Sequence, residues 1–195
     1  MATTSTSLLQ RLRERPDARD WRRLDDLYRP FLLGFLRRQG LSDADADDLT
    51  QEILAVVVRE LPACEHNQRT GAFRAWLRAV AVHRMHDFFR SRKNRPLAAG
   101  GSDVAERLRQ LEDSASALSG EWDREHDRHV VGRLLDAVAG EFQPSTWEAF
   151  RSVMLQGLTP AETAQRLGVS VNAVLLAKSR VLARLREEAK GLVDE

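Results

Sequence analysis

Residues 159–186 read TPAETAQRLGVSVNAVLLAKSRVLARLR, and this stretch decides the fold that we predict for the C-terminal part of the chain. Thr159 is a good N-cap, Pro160 suits the first helical turn, and Glu162 stands where it completes a capping box. Gly168 supplies a tight turn in which φ is positive, and Ser170 can cap the helix that follows. The stretch therefore predicts two helices joined by a tight turn.

The spacing inside this stretch is typical of a helix-turn-helix. Helices that cross at about 90–120° need a small residue at the crossing, a glycine in the turn and a β-branched anchor in the second helix. Ala164, Gly168 and Val174 stand at those offsets. The second helix would enter the major groove of DNA; the alternative is a helical hairpin with no DNA role. The candidate DNA contacts are Ser170, Asn172, Ala173, Lys178, Arg180 and Arg184.

The composition indicates a folded globular protein. The 195 residues are 43% apolar and 30% charged, unlike a disordered tail. The net charge is only +1, so any nucleic-acid binding must rest on local basic patches. Cys64 is the only cysteine, which excludes an intrachain disulfide, argues against a cysteine zinc site and favours the cytoplasm. No apolar run approaches the ~18 residues of a membrane span, so we expect neither secretion nor membrane insertion.

Apolar residues recur at helical spacing along nearly the whole chain, and no strand-like alternation appears. The pattern predicts an all-α protein with two small helical domains, residues 18–96 and 127–190. Residues 1–17 would form an N-terminal extension. Residues 97–126 combine Gly, Ser and Ala with acidic residues and scattered leucines, so we expect a linker with some helix but no core of its own.

Two helices of the first predicted domain carry opposite charge. One holds the acidic run DADDLTQE at residues 45–52, and the other holds FRAWLRAVA at residues 73–81 and DFFRSR at residues 87–92. An acidic helix face can bind basic groups of a protein partner, although alone it is usually a solvated surface. Interleaved aromatic and basic residues suit melted single-stranded DNA, although Trp76 alone would more often be core.

A polar loop, ACEHNQRTG at residues 63–71, joins these two helices. His66, Asn67 and Arg69 could line a pocket for a base extruded from the duplex, and edge contacts and stacking would offset the cost of extrusion. A plain connecting loop explains the same residues equally well.

Together, the acidic run, the aromatic and basic run and the helix-turn-helix resemble a bacterial RNA polymerase sigma factor of the extracytoplasmic-function (ECF) class, in the sigma-70 family. The first run is similar to the family's D-D-L-x-Q-E helix, and the second to its F-x-x-W-L-x-x-I-A segment. The resemblance covers residues 20–96 and 129–190. The order and separation of the motifs match together, which a lone helix-turn-helix would not achieve. The C-terminal stretch also resembles sigma-like regulators of planctomycete-type genomes.

The resemblance implies a helical region 2, a linker and a region 4 that contains the helix-turn-helix, with core RNA polymerase and promoter DNA as partners. Region 2 would dock on the clamp helices of the β′ subunit and would read and melt the −10 element. Region 4, near the β flap, would read the −35 element through the contacts given above. An anti-sigma factor is a further partner in this family, although no residue here identifies one. Core-polymerase contacts are expected at Asp45, Asp48, Leu49, Gln51 and Glu52. Contacts with the −10 element are expected at His66, Asn67, Arg69, Arg74, Trp76, Arg78, His83, Arg84, Arg90 and Arg92.

Two departures from the family pattern affect the expected DNA contacts. His83 stands where the family often has Asn, so this −10 contact does not carry over directly. The family's recognition helix often reads V-K-S-R, whereas residues 175–177 read LLA here and the basic group starts at Lys178. The basic group is displaced by nearly one helical turn, so this face would either read bases in an unusual way or touch protein.

Two other functions stay open on the residues alone. A helix-turn-helix regulator that never binds polymerase would use its N-terminal domain for dimerisation or sensing. A metal enzyme would rest on histidine pairs at i, i+3, with two aspartates beside the first pair. No phosphate loop, nucleophile elbow or HExxH motif appears, and we expect no cofactor, no metal and no enzymatic activity. The histidine pairs are His126 with His129, beside Asp123 and Asp127, and His83 with His86.

Overall fold

The computed structural model describes residues 7–63, 72–92 and 101–193, with the backbone alone for Arg92 and residues 101–103. Within these ranges the regular structure is helical and contains no strand, which confirms the predicted all-α class. A short 3-10 turn, Leu61–Ala63, follows the third helix. The α-helices in these ranges are α1 (Leu8–Glu14), α2 (Ala18–Arg38), α3 (Asp43–Glu60), α4 (Ala72–Arg92), α5 (Gly101–Glu112), α6 (Ala117–Ala139), α7 (Pro144–Met154), α8 (Pro160–Leu167) and α9 (Val171–Ala189).

The described helices divide between two compact units. The N-terminal unit comprises residues 8–130 with residues 191–193, and the C-terminal unit comprises residues 131–190 with Ser7. Helix α6 contributes to both, since the division falls after Val130. None of the helices in the described ranges is both long enough and apolar enough to cross a membrane.

Helices α2, α3 and α4 supply most of the core of the N-terminal unit, because their apolar residues recur every three or four positions. Side-chain caps fix where two of them begin. The Asp17 carboxylate accepts hydrogen bonds from the first backbone N–H groups of α2, and the Ser42 hydroxyl accepts one at the start of α3. The buried side chains include Leu24, Tyr28, Phe31 and Phe35 of α2, Leu49 and Ile53 of α3, and Phe73, Leu77 and Met85 of α4.

The segment expected to be a linker, residues 97–126, packs differently from the prediction. Leu111 of α5 and Trp122 of α6 are fully buried. The Trp122 ring meets Phe31 and Phe35 of α2 edge-on, with ring-centroid distances of 4.8 and 4.4 Å. Such pairs stabilise a fold beyond the burial of their area. The described part of this segment therefore belongs to the core of the N-terminal unit and is not a solvated tether.

The C-terminal unit is built around small residues where α7, α8 and α9 meet. Ala149 of α7, Ala164 of α8, and Val174 and Ala177 of α9 form a buried cluster. Small side chains let the helix backbones approach closely, and the β-branched Val174 fills the remaining space. Packing of α9 on this cluster leaves the opposite side of the helix exposed.

Candidate functional site

One side of α3 presents most of the residues expected to bind polymerase. Asp48, Gln51 and Glu52 are exposed, and at spacings of three and four they share one side of the helix. Asp45 is half-buried, and its carboxylate accepts a 2.6 Å hydrogen bond from the hydroxyl of the N-cap serine. Leu49 is buried in the core of the N-terminal unit, which corrects the expectation that it contacts a partner.

The negative charge on this side of α3 has no counter-charge within the described residues. Neither Asp48 nor Glu52 forms an ion pair or hydrogen bond with any of them, so both carboxylates are available to a partner. Ala55 and Val58 are also exposed and continue the same side toward the end of the helix. Sequence reasoning missed both, although their spacing from Gln51 was the signal. We call this set the α3 face: Asp48, Gln51, Glu52, Ala55 and Val58.

Arg74 and Arg78 of α4, both expected to contact the −10 element, are instead buried in ion pairs with α6. They are 8% and 7% exposed. Arg78 Nη1 donates to Asp123 Oδ1 at 2.8 Å, and Arg74 Nη1 donates to Asp127 Oδ2 at 2.6 Å. Arg74 Nε also lies 3.1 Å from Asp123 Oδ1. A buried guanidinium needs such partners, so in this structure both arginines tie α4 to α6 and are not free for DNA.

The basic residues nearer the end of α4 surround one carboxylate. His83 Nδ1 and Arg84 Nη1 each lie 3.5 Å from Asp87 Oδ2, and Arg90 donates to the other oxygen of the same group. His83 and Arg90 are exposed and Arg84 is half-buried. Exposed ion pairs of this kind are weak, so Asp87 holds these side chains only loosely. We call His83, Arg84 and Arg90 the α4 basic surface.

The structure describes only some of the remaining residues that were expected to contact the −10 element. Trp76 is half-buried, and its ring centroid lies 5.7 Å from that of Phe73, so one part of the indole belongs to the core. The backbone of Arg92 ends α4, but its side chain lies outside the described residues. His66, Asn67 and Arg69 lie outside them as well.

His126, one of the candidate metal ligands, is fully buried and hydrogen-bonded through both ring nitrogens. Nδ1 lies 3.0 Å from Asp127 Oδ1, and Nε2 lies 3.1 Å from the Tyr28 hydroxyl. Because a carboxylate can only accept, Nδ1–H donates to Asp127 and Nε2 accepts from Tyr28. Burial lowers the pKa of His126, although Asp127 acts in the opposite direction. Nε2 of His129 lies 2.7 Å from the carbonyl of Leu27. Within the described residues, no group of three or more His, Cys, Asp or Glu side chains could hold a metal.

The predicted pair of helices with a tight turn is present as α8 and α9. Thr159 Oγ1 accepts from the Glu162 N–H at 3.2 Å, and Glu162 Oε2 accepts from the Thr159 N–H at 2.8 Å, which completes the capping box. The Thr159 hydroxyl also donates to Glu162 Oε2 at 2.7 Å. This bond, together with the one from the Thr159 N–H, lowers the pKa of Glu162. Gly168 ends α8 at φ 65° and ψ 33°, and the Ser170 hydroxyl accepts from the Ala173 N–H at 3.1 Å. The local sequence signals therefore predicted this geometry correctly.

Most of the expected −35 contacts on α9 are accessible. Asn172, Ala173 and Arg180 are exposed, and Lys178 is half-buried. Lys178 and Arg180 form no ion pair with any residue of the described ranges. Ser170 is exposed, and its hydroxyl is already engaged in the cap. The side of α9 away from the core therefore carries positive charge without a counter-charge.

Arg184 is the exception among these contacts. Its Nε donates to Glu141 Oε2 at 2.6 Å and its Nη2 donates to Glu188 Oε1 at 2.5 Å. The hydrogen bond with Glu141 is the main reason that the pKa of Arg184 is raised above its ordinary value. The expected DNA contact at Arg184 is corrected, because its guanidinium is held by two carboxylates of the C-terminal unit.

Comparison with known proteins agrees with these features. Residues 24–95 match the family model of sigma-70 region 2. The chain is 31% identical over 156 residues to the ECF RNA polymerase sigma factor SigF of Caulobacter vibrioides, covering 80% of this chain and 77% of that protein. It is 29% identical over 163 residues to SigD of Mycobacterium tuberculosis, covering 83% and 70%. It is 28% identical over 162 residues to the RNA polymerase sigma factor CnrH of Cupriavidus metallidurans, covering 81% and 78%.

The chain therefore belongs to the ECF sigma factors of the sigma-70 family, and its function is to direct promoter-specific transcription initiation. The narrower resemblance to planctomycete-type regulators stays a prediction.

Proposed function

We propose that the chain binds core RNA polymerase through the α3 face and promoter DNA through the α4 basic surface and helix α9. The observation that carries the proposal is the pair of exposed carboxylates, Asp48 and Glu52, without a counter-charge in the described residues. They lie within the run that resembles the family's polymerase-docking helix. Alone, such a face is usually a solvated surface, and its place in this run is what favours a polymerase contact over a regulator that works without polymerase.

The chemistry of the α3 face suits the clamp helices of the β′ subunit. Asp48 and Glu52 would pair with arginine or lysine side chains, and Gln51 would add a hydrogen bond. Ala55 and Val58 would add apolar contact beside these charges. Because charge complementarity mainly sets specificity and the rate of association, we expect the acidic residues to choose the partner.

The α4 basic surface would bind the −10 element as single-stranded DNA. His83, Arg84 and Arg90 would exchange Asp87 for phosphates, and the open part of Trp76 would offer a stacking platform. The remaining members of this proposed site are Arg92 and the loop residues His66, Asn67 and Arg69. Arg74 and Arg78 are left out because α6 holds them.

Helix α9 would enter the major groove of the −35 element, with the C-terminal unit near the β flap. Asn172 and Arg180 would reach base edges or phosphates, and Lys178 would reach a phosphate. The proposal places the chain in the cytoplasm with the polymerase, without enzymatic activity of its own. An anti-sigma factor would act by competing for these same surfaces.

The test is reconstitution with core polymerase and run-off transcription, using a charge reversal on the α3 face. Glu52→Lys should weaken binding to core by at least about tenfold, since it places a cation against basic partner groups. Glu121→Lys is the matched control, because Glu121 is an exposed glutamate on α6 and its reversal changes the net charge by the same amount.

The wild type and the two variants test separate parts of the proposal. If wild-type protein neither co-elutes with core nor directs a promoter-dependent transcript, the proposed contacts with core and promoter are wrong. If Glu52→Lys and Glu121→Lys lose core binding equally, the assignment of the α3 face is wrong. Retained binding in Glu121→Lys alone supports it.

A further inference from the structure

Helix α9 and the turn before it expose four large apolar side chains. Val169, Val171, Leu175 and Leu176 are 40%, 44%, 46% and 48% exposed. Single exposed apolar residues are ordinary on a protein surface, whereas a contiguous cluster marks a place where something binds. Leu175 and Leu176 lie where the family often has the basic part of its recognition helix.

The position of these side chains on the helix is defined by the buried ones. Val174, Ala177 and Val181 face the core of the C-terminal unit. Asn172, Leu175, Leu176 and Ser179 are exposed and lie three or four positions apart, so they share the outward side of α9. We call these four residues the reading face.

Cationic residues flank the reading face. Lys178 lies one turn beyond Leu175, and Arg180 lies one turn beyond Leu176. Helical periodicity places Lys178 and Arg180 on opposite sides of the two leucines. Neither has an ion-pair partner in the described residues, and residues 169–183 contain no Asp or Glu. An apolar centre with cations on both sides, and no acidic residue, fits a polyanion that offers apolar groups between its charges.

Duplex DNA has this arrangement in its major groove. Two phosphate backbones border a floor on which the apolar group is the C5-methyl of thymine. Asn pairs with adenine through two hydrogen bonds, so Asn172 beside the leucines would favour the same A·T pairs. A protein groove would offer apolar surface but would not require cations on both sides.

We propose that Leu175 and Leu176 read the upstream promoter element by contacting thymine methyl groups, while Lys178 and Arg180 hold the phosphates on either side. This inference rests on the proposed function of α9. It predicts that this chain prefers A·T pairs. The two leucines would recognise them through methyl contacts, at positions where the family often has basic side chains.

The test removes the methyl groups from the DNA and the leucines from the protein. Holoenzyme reconstituted with the full chain first selects duplexes from a randomised library, which defines the upstream element. Synthetic duplexes then carry deoxyuridine in place of each thymidine of that element, which deletes the methyl and keeps every base-pairing group. Binding is measured for wild-type, Leu175→Ala, Leu176→Ala and, as a control, Leu155→Ala, an exposed leucine at the end of α7.

The expected result is a loss of about fourfold in wild-type affinity for each contacted methyl removed. Leu175→Ala and Leu176→Ala should each become insensitive to one of these deletions, whereas Leu155→Ala should keep the wild-type response. Circular dichroism checks that the variants remain folded, which is expected because the altered side chains are exposed.

Three results would overturn the proposal. The first is a selected element at which deoxyuridine has no effect on wild-type affinity. The second is an effect that persists unchanged in both leucine variants. The third is that both leucine variants bind core less well than wild type but keep the wild-type affinity for DNA. Leu175 and Leu176 would then belong to a protein-binding surface. Failure to select any upstream element would instead reject the proposed role of α9 in DNA binding, on which the inference rests.

Discussion

Arg78 of α4 and Asp123 of α6 are joined by a hydrogen bond of 2.8 Å across 45 positions of sequence. Arg74 and Asp127 form the second pair of the same set. Both arginines and both aspartates are spaced four residues apart, so each pair occupies one side of its helix. The two rows of charge meet because α6 packs in the N-terminal unit, and they fix the register of α6 against α4.

Replacing Asp123 should loosen α6. In Asp123→Ala, the buried Arg78 guanidinium loses its main acceptor, which should cost about 2 kcal/mol; the value is below that of a fully buried pair because Asp123 is partly exposed. Local opening of α6 should then become roughly thirtyfold more frequent. Hydrogen exchange of the backbone amides in residues 117–130 measures this opening directly.

The control for Asp123→Ala is Glu121→Ala, which removes an exposed carboxylate two positions earlier. Its exchange in residues 117–130 should match that of wild type within about twofold. Amides of α8 and α9 provide an internal reference, and they should be unchanged in both variants. Unchanged exchange of α6 in Asp123→Ala would mean that the pair contributes nothing to the packing.

The buried His126 should make the N-terminal unit less stable in mild acid. Burial lowers its pKa from the ordinary value of 6.5, so below that pH the unfolded chain binds a proton that the folded chain resists. The contribution to stability is present above about pH 6.5 and is lost as the pH falls toward the pKa of the folded state. Urea unfolding at pH 8 and pH 5.5, followed by far-UV circular dichroism, should give a lower midpoint at pH 5.5.

His126→Gln should reduce this pH dependence because the buried titrating group is gone. His83→Gln is the matched control, since His83 is exposed and should leave the dependence intact. In wild type, burial raises the pKa of Asp127, but hydrogen bonds with His126 and Arg74 outweigh this effect and lower the pKa from its ordinary value. If His126→Gln and wild type show the same pH dependence, then other groups cause the lower midpoint at pH 5.5.

The helix-turn-helix could be predicted because its signals are local. Thr159 caps the helix that Glu162 stabilises, and Gly168 ends that helix in a left-handed conformation. Each relationship spans only a few residues, so neighbouring positions in the sequence contain the needed information. Asp48 and Glu52 of α3 are exposed, as their expected contact with polymerase requires, whereas helical periodicity turns Leu49 of the same expected set toward the core.

The role of α6 could not be predicted from local signals. Arg74 and Arg78 looked like DNA contacts because their partners lie on a helix that is distant in sequence. The segment around Trp122 looked like a linker because its few apolar residues are diluted by polar and acidic ones. A signal was present in the spacing of the buried residues Ser119, Trp122, His126 and Val130, which recur at three and four positions. Their meaning depends on the α2 surface that they cover, which no local pattern identifies.

Two glycine substitutions in the C-terminal unit should have opposite effects. Gly168 has φ 65°, so Gly168→Ala should destabilise the turn by about 1 kcal/mol although no atom lies within 4 Å of the added methyl. Gly132 lies exposed in α6 with equal space around it, so Gly132→Ala should stabilise its helix by about 1 kcal/mol. Urea unfolding of the C-terminal unit, monitored by hydrogen exchange of its backbone amides, measures the change in stability of both variants. The same sign for both variants would contradict the assigned backbone conformation of Gly168.

The arginines of α4 should differ in how they affect promoter binding. Arg90 is exposed and paired only weakly with Asp87, so it should exchange this carboxylate for a phosphate when DNA binds. Each lost phosphate contact lowers the slope of log affinity against log salt by about 1. Arg90→Ala holoenzyme should therefore show a smaller slope between about 50 and 200 mM salt, measured with promoter DNA of fixed sequence.

Arg78→Ala removes the same charge from the same helix and serves as the matched comparison. Because Asp123 already holds Arg78, the folded variant should keep the wild-type salt slope and should show its defect as faster exchange of α6. The two readouts separate a residue that binds DNA from one that holds the fold. If Arg78→Ala lowers the slope as much as Arg90→Ala does, then α6 must release α4 when the promoter binds, and the ion pairs with Asp123 and Asp127 would belong to the DNA-free state alone.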